Sequence, residues 1–243
     1  MKIAVAQTHP VTGNIERNIE AHKRFIDLAV AQSAGMIIFP ELSLTGYEPR
    51  LAGELATAMD DARFDDFQQL SDTHNITIGT GVPTKHEKGL YISMVIFRPN
   101  GPRSLYSKKY IHADEEEFFV SGENFPCMAV GDCTVSLAIC YEISVHEHME
   151  DAYAGGAEVY IASVAKFRGG STDKALVRLA DIAKEYALPV LMANSVGKAD
   201  GAECAGKSSI WDNTGELLAQ LNDSSEGILV YDTDTQEVVE QTL

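Results

Sequence analysis

Twice along the chain an apolar run of strand length passes into a stretch of helical period and then into a second apolar run. Residues 2–8 lead into apolar positions at helical spacing, Ile15, Ile19, Phe25, Ile26 and Ala29, and these give way to the run 36–40. Late in the chain, 159–164 reads as a strand, 172–186 as an amphipathic helix and 189–196 as a strand again. Asn14 is placed to cap the first helix and Gly35 to stop it. Between the two blocks, helical spacing near 61–74 precedes strand-like runs at 76–84, 90–98 and 103–110, the last two separated by the hairpin signal Asn100-Gly101. Polar residues 113–123 read as a loop, 128–141 as two strands about Gly131-Asp132, 145–154 as a short helix, and 207–221 as a hairpin about Asn213-Thr214-Gly215. No repeat, linker or low-complexity tract interrupts the pattern.

Helices interleaved with mixed strands call for two sheets packed face to face, because each sheet must also bury its outer apolar face. The expectation is an α/β fold, a four-layer α-β-β-α sandwich with two mixed sheets, formed by one domain over residues 1–243; a single mixed sheet is the alternative. With 45% of 243 residues hydrophobic, the chain can fill such a core. A formal net charge of −17 repels phosphate backbones and anionic lipid surfaces, so neither nucleic acid nor membrane is an expected partner. Strand-like residues begin at the first position, with no basic leader and no apolar run of membrane-spanning length, which points to the cytoplasm. Cysteines at 127, 133, 140 and 204 form no CxxC pair and agree with a reducing compartment, leaving at least one thiol free to act as a nucleophile.

Three segments carry chemistry. In Phe39-Pro40-Glu41 a carboxylate ends a buried apolar strand, and partial desolvation raises its proton affinity into the range of a general base; an exposed glutamate opening a loop is the plainer reading. In 137–142 a cysteine, Cys140, ends an apolar strand ahead of a helical segment, where the turn exposes backbone N–H donors that can hold an oxyanion and favour thiolate. An inert buried cysteine is the alternative. In 106–110, adjacent Lys108 and Lys109 on a strand must face opposite ways, so one can point inward, where it needs a carboxylate such as those of 114–117; solvated edge lysines are the alternative.

Together these segments resemble the nitrilase superfamily of carbon-nitrogen hydrolases over nearly the whole chain. The glutamate motif stands at 39–47, the lysine motif at 106–108 and the nucleophile motif at 139–142, in the family's order. Residues 115–122 resemble its Glu-x-x-x-Phe-x-x-Gly segment, and 206–210 with 213–215 resemble its late Gly-x-Ser strand and hairpin. The resemblance implies a triad of Glu41, Lys108 and Cys140, with Glu115 orienting Lys108 and the backbone N–H of Tyr141 holding the oxyanion. It implies hydrolysis of a small non-peptide amide through a cysteine thioester, no cofactor or metal, and a homodimer or larger homo-oligomer. Phe119 and Lys166 are candidate substrate contacts. The sequence departs from the family after Cys140-Tyr141, where the usual Arg is missing, at 179–183 in place of Arg-Ala-x-Glu-Asn, and at 164–167, where the usual aromatic is not obvious.

Two other readings follow from the residues. His112 with Asp114, and His146 with His148, make clusters rich in metal-ligand types, but their spacing fits no standard zinc pattern and lacks the i, i+4 pair of His-Glu-x-x-His. A non-catalytic small-molecule binder of the same fold is the other alternative. Lys166 and Arg168, cationic on an acidic chain, suggest a patch for a substrate carboxylate and hence a small ω-amide.

Overall fold

Which face of each strand meets which layer is set by alternation along the apolar runs. The computed structural model describes residues 1–123 and 126–243. In chain order its elements are β1 (Lys2–Gln7), α1 (Ile15–Ala31), β2 (Met36–Ile38), α2 (Ala52–Leu55), α3 (Asp65–His74), β3 (Thr77–His86), β4 (Gly89–Phe97) and β5 (Ser104–Ser107). There follow β6 (Cys127–Val130), β7 (Cys133–Ile139), α4 (His146–Ala154), β8 (Val159–Ser163), α5 (Gly170–Tyr186) and β9 (Val190–Ala193). The chain closes with the short β10 (Lys198–Ala199) and β11 (Ala202–Glu203), then β12 (Ser209–Trp211), β13 (Leu217–Gln220), β14 (Gly227–Asp232) and β15 (Val238–Thr242).

One sheet has the order β15-β14-β1-β2-β3-β4-β5 and the other β13-β12-β9-β8-β7-β6. β1, β2 and β3 run parallel, as do β7, β8 and β9, and antiparallel strands flank each trio. Ile3, Val5, Met36 and Ile38 face the second sheet and pack with its Val135, Leu137, Ile139 and Ile161. The intervening Ala4, Ala6 and Ile37 face outward onto α1 residues Ile19, Phe25 and Ile26. On the far side Ala138, Tyr160, Ala162 and Met192 meet α5 through Leu179, Ile182 and Ala183. Three apolar interfaces therefore separate four layers, as expected of a chain whose strands alternate between two buried faces.

Asn14 caps α1 by accepting from the Arg17 N–H at 3.0 Å. Gly35 is not the stop: the helix ends at Ala31, Ser33 takes the left-handed turn at φ 59°, and Gly35 already donates to the Lys2 carbonyl. β14 and β15 have no counterpart in the sequence reading; β14 inserts antiparallel beside β1, with Lys2 opposite Asp232. No helix among the described residues is long and apolar enough to cross a membrane.

At the carboxyl ends of the parallel strands the apolar inter-sheet contact becomes polar. Ser163 at the end of β8 donates to the Phe39 carbonyl at 2.8 Å, just past β2, and Gln7 ends β1 by accepting from the Ser208 N–H at 2.9 Å. These bonds pin the two sheets in register where the chain leaves β2 and β8.

Candidate active site

Glu41 lies three residues past β2, on a turn whose next residue, Leu42, is left-handed at φ 52°. The turn fits only because β3 carries Gly81 beside it: a Cβ there would stand 2.4 Å from the Leu42 nitrogen. Lys108 was expected within a strand, but β5 stops at Ser107, so the lysine occupies the first position beyond it. Its backbone is held from both sides, its N–H donating to the Ile92 carbonyl at 2.8 Å and its carbonyl accepting from Gly122 at 2.8 Å. Gly122 packs so close that a Cβ would meet the Ser107 oxygen at 2.3 Å. The two lysines do face opposite ways: Lys108 is fully buried, whereas Lys109 is half-buried and reaches Asp151 at 3.5 Å.

Inside, the Lys108 ammonium donates to Glu41 Oε1 at 2.9 Å and to both oxygens of Glu115 at 2.8 Å. Glu115 also accepts from the Tyr47 hydroxyl at 2.9 Å and from the His112 N–H at 2.9 Å. Glu115 is thus saturated and fixed. Glu41 keeps its second oxygen, Oε2, buried without a hydrogen-bond partner among the described residues. Burial drives the proton affinity of Glu41 up; Lys108 opposes the rise and the charge of Glu115 adds to it. For Lys108 burial works against the charge, but the carboxylates of Glu41 and Glu115 outweigh it and hold the ammonium protonated.

Cys140 follows β7 directly and opens a 3-10 turn, Cys140–Ser144, with its own φ at +46°. For a residue with a side chain that left-handed backbone is strained, and such strain concentrates at functional positions. The first N–H groups of the turn have no acceptor within it, which leaves that of Tyr141 available as a donor. The pKa of the thiol lies above its ordinary value, whereas the sequence reading expected the local field to favour thiolate. Burial raises its pKa, the Glu41 charge raises it further, and Lys166 and Lys108 only partly offset this.

Glu142 was seen in sequence only as part of a motif, and the structure gives it a bracing role. Its fully buried carboxylate accepts from the N–H of Ile139 at 2.8 Å, of Lys109 at 2.7 Å and from the Tyr106 hydroxyl at 2.7 Å. One carboxylate therefore fastens the segment carrying Lys108 to the turn carrying Cys140. His148 joins this network through Tyr106 at 2.9 Å and Tyr160 at 3.2 Å, and burial lowers its pKa.

A cavity of about 320 Å³ opens at Cys140, lined by Tyr47, Glu115, Tyr141, Lys166 and Phe167, with Ser171 and Lys174 of α5 on the same wall. Lys166 lines the cavity. Arg168 does not: it is exposed and pairs with Asp223 at 3.3 Å. Phe119 sits 2% exposed in the core between the sheets, anchoring the loop that carries Glu115, and is not among the residues lining the cavity. The histidine clusters separate. His112 pairs with Asp114 at the cavity mouth, His146 with Glu150 at 3.2 Å on the surface, and His148 is buried with tyrosines. Among the described residues no three His, Cys, Asp or Glu side chains gather as metal ligands.

Comparison with known proteins agrees with this arrangement. The family model for carbon-nitrogen hydrolases matches residues 2–242. A probable nitrilase of Schizosaccharomyces pombe is 26% identical over 97% of this chain and 89% of its own length. An (R)-stereoselective amidase of a Pseudomonas species is 28% identical over 90% of this chain and 80% of its own. The chain spans only 44% of a glutamine-dependent NAD(+) synthetase of Acinetobacter baylyi, to which it is 26% identical. Among solved structures, the amidase of Nesterenkonia sp. AN1 in complex with butyramide superposes with a TM-score of 0.84 at 23% identity, covering 95% of this chain and 89% of that one. With residues 2–242 matched by the family model and the layered fold shared, this protein belongs to the carbon-nitrogen hydrolase family and is a hydrolase of that class.

Proposed function

We propose that the protein hydrolyses the C–N bond of a small amide through a thioester on Cys140. The observation that carries this reading is a buried carboxylate, Glu41, with one oxygen bonded to Lys108 and the other bare, beside a thiol that feels its charge. The bare oxygen takes the Sγ proton as the sulfur bonds to the amide carbon, and the carbonyl electrons move onto oxygen. Lys108 and the Tyr141 N–H neutralise that oxyanion. As the intermediate collapses, the C–N bond breaks and the nitrogen leaves with the proton held by Glu41. Water then attacks the thioester, giving its proton to Glu41, and the carboxylate product departs as sulfur regains a proton. Two moderate barriers replace one high one.

Glu115 stays bonded to Lys108 throughout and fixes where the ammonium points. A glutamate-to-glutamine mutant of the Nesterenkonia amidase carries acrylamide added by Michael addition at its active-site cysteine, which supports a nucleophilic thiol in the neighbouring fold. Ammonia release from a panel of small amides tests the reading, with Cys140→Ala as the control. Turnover that persists in Cys140→Ala, or that chelation removes and one divalent ion restores, would overturn it.

A further inference from the structure

The scheme above leaves one cation of the cavity without a task. Lys166 sits three residues past β8 with its backbone clamped: its N–H donates to Asn194 Oδ1 at 2.9 Å, and its carbonyl accepts from the Ala205 N–H at 2.7 Å. Asn194 is itself fully buried and anchored to the Gly206 carbonyl at 2.7 Å. The clamp fixes where the side chain starts, and the side chain lines the cavity beside Cys140. Its charge is felt at both Cys140 and Glu41.

Among the described residues no carboxylate lies within 4 Å of the Lys166 ammonium, although Asp114 and Glu115 line the same cavity. Both are already engaged, Glu115 by Lys108 and Asp114 by His112. A half-buried ammonium with no counter-ion is unfavourable until something supplies the negative charge. On a protein of net charge −17 the overall field repels anions, so an anionic group can be held here only by local charge. Lys174, exposed on α5, adds a second ammonium to the same wall.

Resting on the amidase reading, we propose that the substrate is a small amide bearing a carboxylate. The carboxylate is held by Lys166, with Lys174 assisting at the mouth, while the amide carbon lies at Cys140. Hydrolysis consumes one water and yields a dicarboxylate and ammonium.

The test pairs succinamate with 4-methylpentanamide, an uncharged amide of the same branching and length. Wild type is expected to prefer succinamate in kcat/KM. Lys166→Gln should reduce that preference by about 10- to 100-fold, the scale of one charge-assisted hydrogen bond, chiefly through KM for succinamate. Lys166→Arg should retain most of it, and Lys174→Gln should lose less than Lys166→Gln. An equilibrium arm needs no turnover: malonate, succinate or glutarate should protect Cys140 of wild type from iodoacetamide, read by peptide mass, and protect Lys166→Gln less.

A wild-type preference for the neutral amide, an unchanged ratio in Lys166→Gln, or equal protection of both proteins would overturn the carboxylate site while leaving the amidase reading standing. Protection that depends on Lys166, with no ammonia from any amide, would uphold the carboxylate site and sink the amidase reading.

Discussion

In the first sheet β1, β2 and β3 run parallel before β4 turns back and β5 returns, and in the second β7, β8 and β9 run parallel before β12 turns back and β13 returns. Corresponding exits carry different side chains. Three residues past β2 stands Glu41, and three past β8 stands Lys166; directly after β5 stands Lys108, and directly after β13 the buried apolar Leu221. Directly after β7 stands Cys140, and directly after β1 stands Thr8, which bridges to Ser195. The first sheet contributes groups that are buried and bonded to one another before any ligand arrives. The second contributes groups that face the cavity. Shared topology brings the strand ends to one edge, but which ends can do chemistry depends on what each side chain has left unsatisfied.

The comparison breaks most completely at the second sheet's nucleophile. Cys140→Ala is expected to lower kcat by roughly 10⁴-fold or more, the scale for removing a covalent nucleophile, with little change in thermal midpoint. Activity near wild type in that variant would move the chemistry elsewhere.

Lys108→Ala attacks the first sheet, where two buried carboxylates would lose their common cation. The expected outcome is a destabilisation of about 3–5 kcal/mol, together with a kcat loss of about 10²- to 10³-fold in whatever remains folded. Lys109→Ala, at the half-buried neighbour, should stay within about 0.5 kcal/mol in denaturant titration. Equal losses would mean that burial is not what separates the two lysines.

The pH dependence sharpens the contrast. Glu41 must be ionised to accept the thiol proton, and its value lies above the ordinary 4.5, so kcat/KM should fall with acid at a pH above that of a free glutamate. The Cys140 thiol lies above its ordinary 9.0, so alkylation of Cys140 should still be accelerating at pH 9. For stability the sign is the reverse of that for an acid whose pKa is lowered on folding. Folding favours protonated Glu41, and that contribution is lost as pH rises from 4.5 through the raised value. An acid limb at or below 4.5 would show that Lys108 outweighs burial.

A smaller effect is expected of Gly122→Ala, whose Cβ would strike the Ser107 backbone. Overpacking there should destabilise by about 1–3 kcal/mol, and the displaced Lys108 should cut kcat more than it raises KM. Wild-type kinetics would mean that the loop yields without moving the lysine.

Much of this was legible in the sequence because Glu41 and Cys140 of the proposed triad each stand at the end of an apolar run, the strongest local signal, while Lys108 was read from two adjacent lysines on a strand. The opposed burial of Lys108 and Lys109 was foreseen from strand alternation, yet it arises from backbone bonds beyond the end of β5. Arg168 and Lys166 looked equivalent, since one residue of spacing cannot tell a cavity wall from a loop paired to Asp223. Glu142 gave no sign of its bracing role because its donors come from residues 106, 109 and 139, which only the packing of the two sheets brings together. β15 escaped notice because its partly solvated Val238–Thr242 lacks the apolar signal of a core strand.

The Ser163 to Phe39 bond, one of the pins between the sheets, also bears on how the protein becomes active during folding. Glu41 and Lys108 belong to one sheet and Cys140 to the other, so a chain with both sheets formed but undocked holds an ordinary thiol far from any base. Recovery of turnover after dilution from denaturant therefore clocks the docking step, separately from the recovery of secondary structure. Ser163→Ala, which removes the pin and spares the catalytic groups, should delay the first signal more than the second.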